Sequence, residues 1–147
     1  MNRKIPRIIA LILLLVLLFS TAAYASVTSS LYIAATNAYV TRSGDNVNVY
    51  FYIVGRSASM DVIGATKIYV YEQNGTYWSL VKTFDSDDSQ YTSDMIGTNT
   101  GIKSSHVTYT EGDATKNYYA IVKFYAEKDG GHDSFNQDTP VSYGTTP

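Results

Sequence analysis

The chain alternates. In Val47-Asn48-Val49-Tyr50-Phe51-Tyr52-Ile53, residues Val47, Val49, Phe51 and Ile53 share one parity, and Asn48, Tyr50 and Tyr52 take the other. Period two is the pattern of a strand with one buried face. It recurs in residues 66–72, where Ile68 and Val70 point inward and Lys67, Tyr69 and Tyr71 outward. It recurs again in residues 118–127, with Tyr118, Ala120, Val122, Phe124 and Ala126 on one face and Tyr119, Ile121, Lys123, Tyr125 and Glu127 on the other. Further strands are predicted over residues 31–41, 77–84 and 104–110, and in a last run ending near Val141.

Turn chemistry separates these runs. Ser43-Gly44-Asp45-Asn46 and Asp129-Gly130-Gly131 are rich in residues that tolerate positive φ. Asn74-Gly75 favours the type I′ turn of a two-residue hairpin. Residues 57–64 read as a connection with one helical turn, from which Met60 and Ile63 plug the end of the core. Residues 85–103 are polar and irregular, with one short strand expected near Tyr91, and form either a mobile loop or an edge excursion. Helical periodicity is otherwise nearly absent after residue 25. The predicted fold class is all-β: a two-sheet antiparallel β-sandwich of about seven strands.

The first 25 residues stand outside this pattern. Asn2 to Arg7 is basic, Ile8 to Phe19 is an unbroken apolar run, and Ala23-Tyr24-Ala25 has the small-x-small form of a cleavage site. The run is shorter than the ~20 residues of a spanning helix. The segment is therefore expected to be a secretory signal peptide, cut after Ala25, leaving residues 26–147 as a single sandwich domain outside the cell. Without Arg3, Lys4 and Arg7, eight of the 11 basic residues remain against 13 acidic ones. That balance disfavours nucleic acid, which needs a basic footprint, and docking on anionic lipid. No cysteine is present. Small secreted eukaryotic domains usually carry disulfides, so a bacterial exported protein held by its core alone is expected.

Two segments resemble the fibronectin type III class of immunoglobulin-like sandwich. "IYVYEQNGTYWSLVKTF" (68–84) is similar to its hairpin of a tyrosine-valine strand returning as Trp-x-x-Val, and "EGDATKNYYAIVKFYAEKDGGHDS" (111–134) to its corner, following strand and turn. The resemblance implies that Tyr118 is the corner tyrosine, its hydroxyl bonding back to the corner backbone. The class's corner proline is missing, and the spacing to Ala126 is longer than usual. The motif pair "MDVIGATKIYVYEQNG" and "YYAIVKFYAEKDGGHDS" also resembles a group of small secreted proteins of Gram-positive, clostridia-like bacteria. The group carries no assigned activity. The resemblance implies a fold and a location and brings no catalytic residues.

The unusual feature is tyrosine, 14 in all. If the strands holding residues 68–72 and 118–127 are neighbours, then Tyr69, Tyr71, Tyr119 and Tyr125 share an outer face. Tyrosine offers rigid contact area with a polar handle, suited to an extracellular glycan or protein partner. The plainer reading is that tyrosine forms strands well and that cross-strand aromatic pairs stabilise a sheet. The leading function is a monomeric, non-catalytic binding module with no cofactor. A small hydrolase built on Ser and Asp around His106 or His132 is the alternative, although no G-x-S-x-G elbow is present. A surface protein assembling through sheet edges is a third reading. Asp85, Asp87 and Asp88 have a trace of calcium-loop spacing, but the glycine and closing glutamate of such a loop are absent. No metal is expected; a solvated acidic loop is the better reading of that cluster.

Overall fold

The computed structural model describes residues 30–144. The expected signal peptide lies outside them. Eight strands follow one another: β1 (Ile33–Ser43), β2 (Asn46–Gly55), β3 (Met60–Asn74), β4 (Tyr77–Asp85), β5 (Ile96–Thr100), β6 (Ile102–Tyr109), β7 (Tyr118–Lys128) and β8 (Gly131–Asp138). One helical turn, α1 (Thr92–Met95), lies between β4 and β5. The strands form two antiparallel sheets, one ordered β1-β2-β6 and one ordered β4-β3-β7-β8 with β5 also on β3. The molecule is an all-β sandwich.

The alternation read from the sequence sets the core. Val47, Val49, Phe51 and Ile53 of β2 face Ile68 and Val70 of β3 and Ala120, Val122, Phe124 and Ala126 of β7, all buried. Phe51 and Phe124 meet edge to face across the two sheets, with centroids 6.4 Å apart. Each large side chain so buried contributes roughly 1.5–3 kcal/mol of transfer free energy.

Two expectations are corrected. Residues 57–64 are not all connection, because β3 already begins at Met60. Met60 and Ile63 are buried as expected, but from a strand. What hid the strand is a β-bulge: Ala65 pairs with Phe124 and Lys67 with Lys123, so Thr66 is an extra residue that resets the parity. The second correction concerns residues 85–103. No strand forms at Tyr91, which instead precedes α1. The strand of this region is β5, which brings the total to eight.

β4 and β5 are two halves of one edge. β4 pairs with β3 from Asn74 back to Lys67, and β5 continues from Gly64 back to Met60. Residues 86–95 leave the sheet between them and return with Met95 buried. Gly64 permits that return. A Cβ there would stand 2.1 Å from the Met95 carbonyl oxygen, and its φ of +156° is one that side chains rarely adopt. On the opposite edge the start of β1 is tied to β8 by side chains. Asp133 Oδ2 accepts hydrogen bonds from Ser30 Oγ (2.6 Å) and the Leu31 N–H (2.7 Å), and Thr36 Oγ1 donates to Gln137 Oε1 (2.7 Å).

Candidate functional site

The register fixes what the outer face of the five-stranded sheet presents. Tyr71 lies opposite Tyr119, and Tyr69 opposite Ile121. Leu80 of β4 lies opposite Tyr71 on its other side. The Tyr71 and Tyr119 rings stack nearly parallel, with centroids 4.9 Å apart and planes 8° apart. That separation equals the ~4.8 Å spacing of strands, so the stack follows from the ladder. Leu80 is 52% exposed. Burial, then the neighbouring Tyr71 and Asp138, raises the Tyr119 hydroxyl above its usual range.

Of the four tyrosines expected to share a platform, Tyr69, Tyr71 and Tyr119 are gathered at one end. Tyr125 is on the same face but opposite Gly64, about 20 Å along β7 from Tyr119 at ~3.3 Å per residue. It stacks on His132 at 5.5 Å, and its hydroxyl donates to Glu127. That bond, with burial, pushes its pKa up to about 12.

A residue not singled out in the sequence joins the cluster. Trp78 of β4 reaches over β3, and its ring meets Tyr119 of β7 at 4.8 Å and 89°. The signal was present, since Asn74-Gly75 fixes a hairpin that returns Trp78 opposite Gln73 on the same face as Tyr71. Amides fringe this end. Asn117 Nδ2 donates to Gln73 Oε1 (2.7 Å), and Lys116 Nζ to Asn74 Oδ1 (3.2 Å). The result is an aromatic and apolar patch with a polar rim.

Tyr118 faces the other way. It is fully buried, its hydroxyl accepts a hydrogen bond from the Asp113 N–H (2.7 Å), and it donates to Glu72 Oε2 (2.6 Å). Burial, then the Glu72 bond, raises its pKa strongly. Arg42 ties the same corner. Its Nη1 donates to the carbonyls of Ala114 (2.8 Å) and Lys116 (2.7 Å), and its Nη2 to that of Tyr143 (2.7 Å).

The histidines lie apart. His106 is on the outer face of the three-stranded sheet, stacked on Tyr50 at 4.9 Å, and Tyr50 stacks on Tyr39 at 5.1 Å. His106 and Ser105 border a common hollow with Asp94, but as consecutive strand residues they point to opposite sides of the sheet. Among the described residues, no hydrogen bond joins His106 or His132 to a serine hydroxyl or a carboxylate. Asp85 is engaged by Lys67 and by the Asp87 N–H (3.1 Å), which together hold its carboxyl below the usual range. Asp88 Oδ1 accepts the Gln90 N–H (3.0 Å), and Asp87 is exposed. No group of three or more His, Cys, Asp or Glu among the described residues has the geometry to hold a metal ion.

No protein-family model matches the chain, and neither a curated protein nor a solved structure matches it at a significant level.

Proposed function

We propose that this chain is a secreted, monomeric, non-catalytic binding module with a fibronectin type III-like sandwich, engaging an extracellular glycan or protein through the outer face of its larger sheet. The observation that carries the reading is the cluster of Trp78, Tyr71 and Tyr119 beside the exposed Leu80. Exposed aromatic and apolar patches with polar rims mark interaction surfaces. The fibronectin-like assignment is supported by the sheet order β1-β2-β6 against β4-β3-β7-β8 and by the Tyr118 hydroxyl bonded to the corner backbone. Export is supported by the basic, apolar and small-residue succession at the start of the chain. Among the described residues neither histidine is bonded to an acid or a serine, which supports a role without catalysis. The test is a pull-down from culture medium and cell-surface extract with the protein and its Trp78→Ala/Tyr71→Ser double variant. Loss of the captured partner with the double variant is expected. Equal capture by both proteins sinks the reading.

A further inference from the structure

The side of the sandwich between β6 and the segment 86–95 holds a groove. β6 is an edge strand of its sheet, and the excursion that interrupts β4 and β5 stands opposite it. Two hollows of about 400 and 270 Å³ adjoin there, with Tyr91 and Thr108 in the walls of both. Lys82 and Glu111 line the larger hollow and Asp94 the smaller.

Lys67 and Lys128 pair with Asp85 and Asp61. Among the described residues, the heads of Lys82, Asp94 and Glu111 make no hydrogen bond or ion pair. Lys82 Nζ instead rests over the rings of Phe84 (5.4 Å) and Tyr91 (6.0 Å), which holds the ammonium at the groove wall. Burial, then the nearby Glu111 and Glu72, raises the Tyr109 hydroxyl above its usual range.

We propose that this groove is a glycan-binding cleft that takes a neutral oligosaccharide lying along β6. Sugar hydroxyls both donate and accept. The groove offers the acceptors Asp94 and Glu111, the donor Lys82 and the Tyr109 hydroxyl, which serves as either. Tyr91 and Tyr109 supply ring bodies for the apolar faces of a sugar. Two acids against one lysine disfavour an anionic polymer. A peptide added as a strand needs apolar pockets for alternate side chains, and the larger hollow, where Lys82, Gln90, Thr110 and Glu111 line the wall, offers few.

The inference rests on the reading of the chain as a binding module, but it places the ligand away from Trp78. Its test is a titration of the isotopically labelled protein with cello-, chito-, xylo- and maltohexaose, followed by amide shifts. One of the four is expected to move the amides of residues 90–94 and 105–111. The Asp94→Asn/Glu111→Gln variant, which breaks no hydrogen bond or ion pair among the described residues, is expected to bind at least tenfold more weakly, and Asp87→Asn, an exposed carboxylate outside the groove, to bind unchanged. Shifts confined to residues 69–80 and 119 overturn the cleft and keep the module. No shift with any of the four overturns the glycan assignment, and the module reading then stands or falls on the pull-down. Shifts in the groove that survive the double variant also overturn it.

Discussion

Each sheet carries a stack of aromatic rings on its outer face, and the two stacks arise in the same way. Tyr71 and Tyr119 lie opposite each other on β3 and β7, as Tyr39, Tyr50 and His106 do across β1, β2 and β6. Both stacks have centroids near the strand spacing, 4.9 Å in one and 4.9 to 5.1 Å in the other. A cross-strand tyrosine stack is thus what two aligned tyrosines do on any sheet, and by itself it marks no ligand. What separates the faces is the surroundings. On the larger sheet Trp78 reaches over a strand to close the cluster, and Leu80 stands exposed beside it. Among the described residues, the smaller sheet has no ring that crosses a strand to close its stack; Tyr39 (44%) and Tyr52 (38%) stand exposed along it, and Thr108 Oγ1 donates to Asn48 Oδ1 at 2.8 Å beside it.

Variants can break this comparison at different depths. Phe124→Ala empties the core beneath both faces, where Phe124 meets Phe51 and, at 5.7 Å, Phe135. It is expected to cost about 3–5 kcal/mol by urea denaturation and to weaken both stacks together. Tyr118→Phe removes only a hydroxyl, but that hydroxyl holds the Asp113 N–H and Glu72 in the corner. A loss of about 1–3 kcal/mol in the same assay is expected, with the outer faces intact. Double-mutant cycles sharpen the comparison further. Tyr71/Tyr119 and Tyr39/Tyr50, each taken to alanine, are expected to give similar coupling of about 0.5–1.5 kcal/mol in stability. Only the first cycle is expected to change partner capture. Equal loss of capture from both cycles would erase the distinction between the faces.

The smallest effect is a matter of pH. The Ser30 hydroxyl, with the Tyr32 and Leu31 N–H groups, holds the Asp133 carboxyl below its ordinary 3.8. A depressed folded value means that its stabilisation is present above 3.8 and is lost as the pH falls through the folded value. Asp133→Asn keeps an acceptor but not the charge. Thermal melts between about pH 5 and pH 2 are expected to fall less steeply for that variant. Neither stack is touched, so both faces keep their relative behaviour.

Much of the fold is legible in the alternation because period two assigns each side chain a face directly. The inward residues of β2, β7 and the later half of β3 follow from it one by one. Legibility fails where the period is interrupted. Thr66 resets the parity within β3, so Ile63 and Ala65 fall out of step with Ile68 and Val70 and the strand looks like a loop. β5 is hidden for another reason: Ile96-Gly97-Thr98-Asn99-Thr100 has little apolar content, and only its pairing with β3 makes it a strand. The candidate face shows the same limit. Local parity puts Tyr69, Tyr71, Tyr119 and Tyr125 on one side, but distance along a face depends on register. Register separates Tyr125 from the others and admits Trp78.

The ties at the two ends of the sandwich have a mechanical consequence. Ser30 is fastened beside the start of β8, and Tyr143 is fastened by Arg42 beside the end of β1. The described chain therefore enters at one end of the sandwich and leaves at the other. A force drawn between Ser30 and Gly144 pulls β1 along its own axis against β2. The ten cross-strand positions of that ladder, Ile33 with Gly55 through Ser43 with Asn46, are then strained together and not peeled one after another. A force–extension trace is expected to show a single high-force rupture. A staircase of small steps would mean that the ladder unzips.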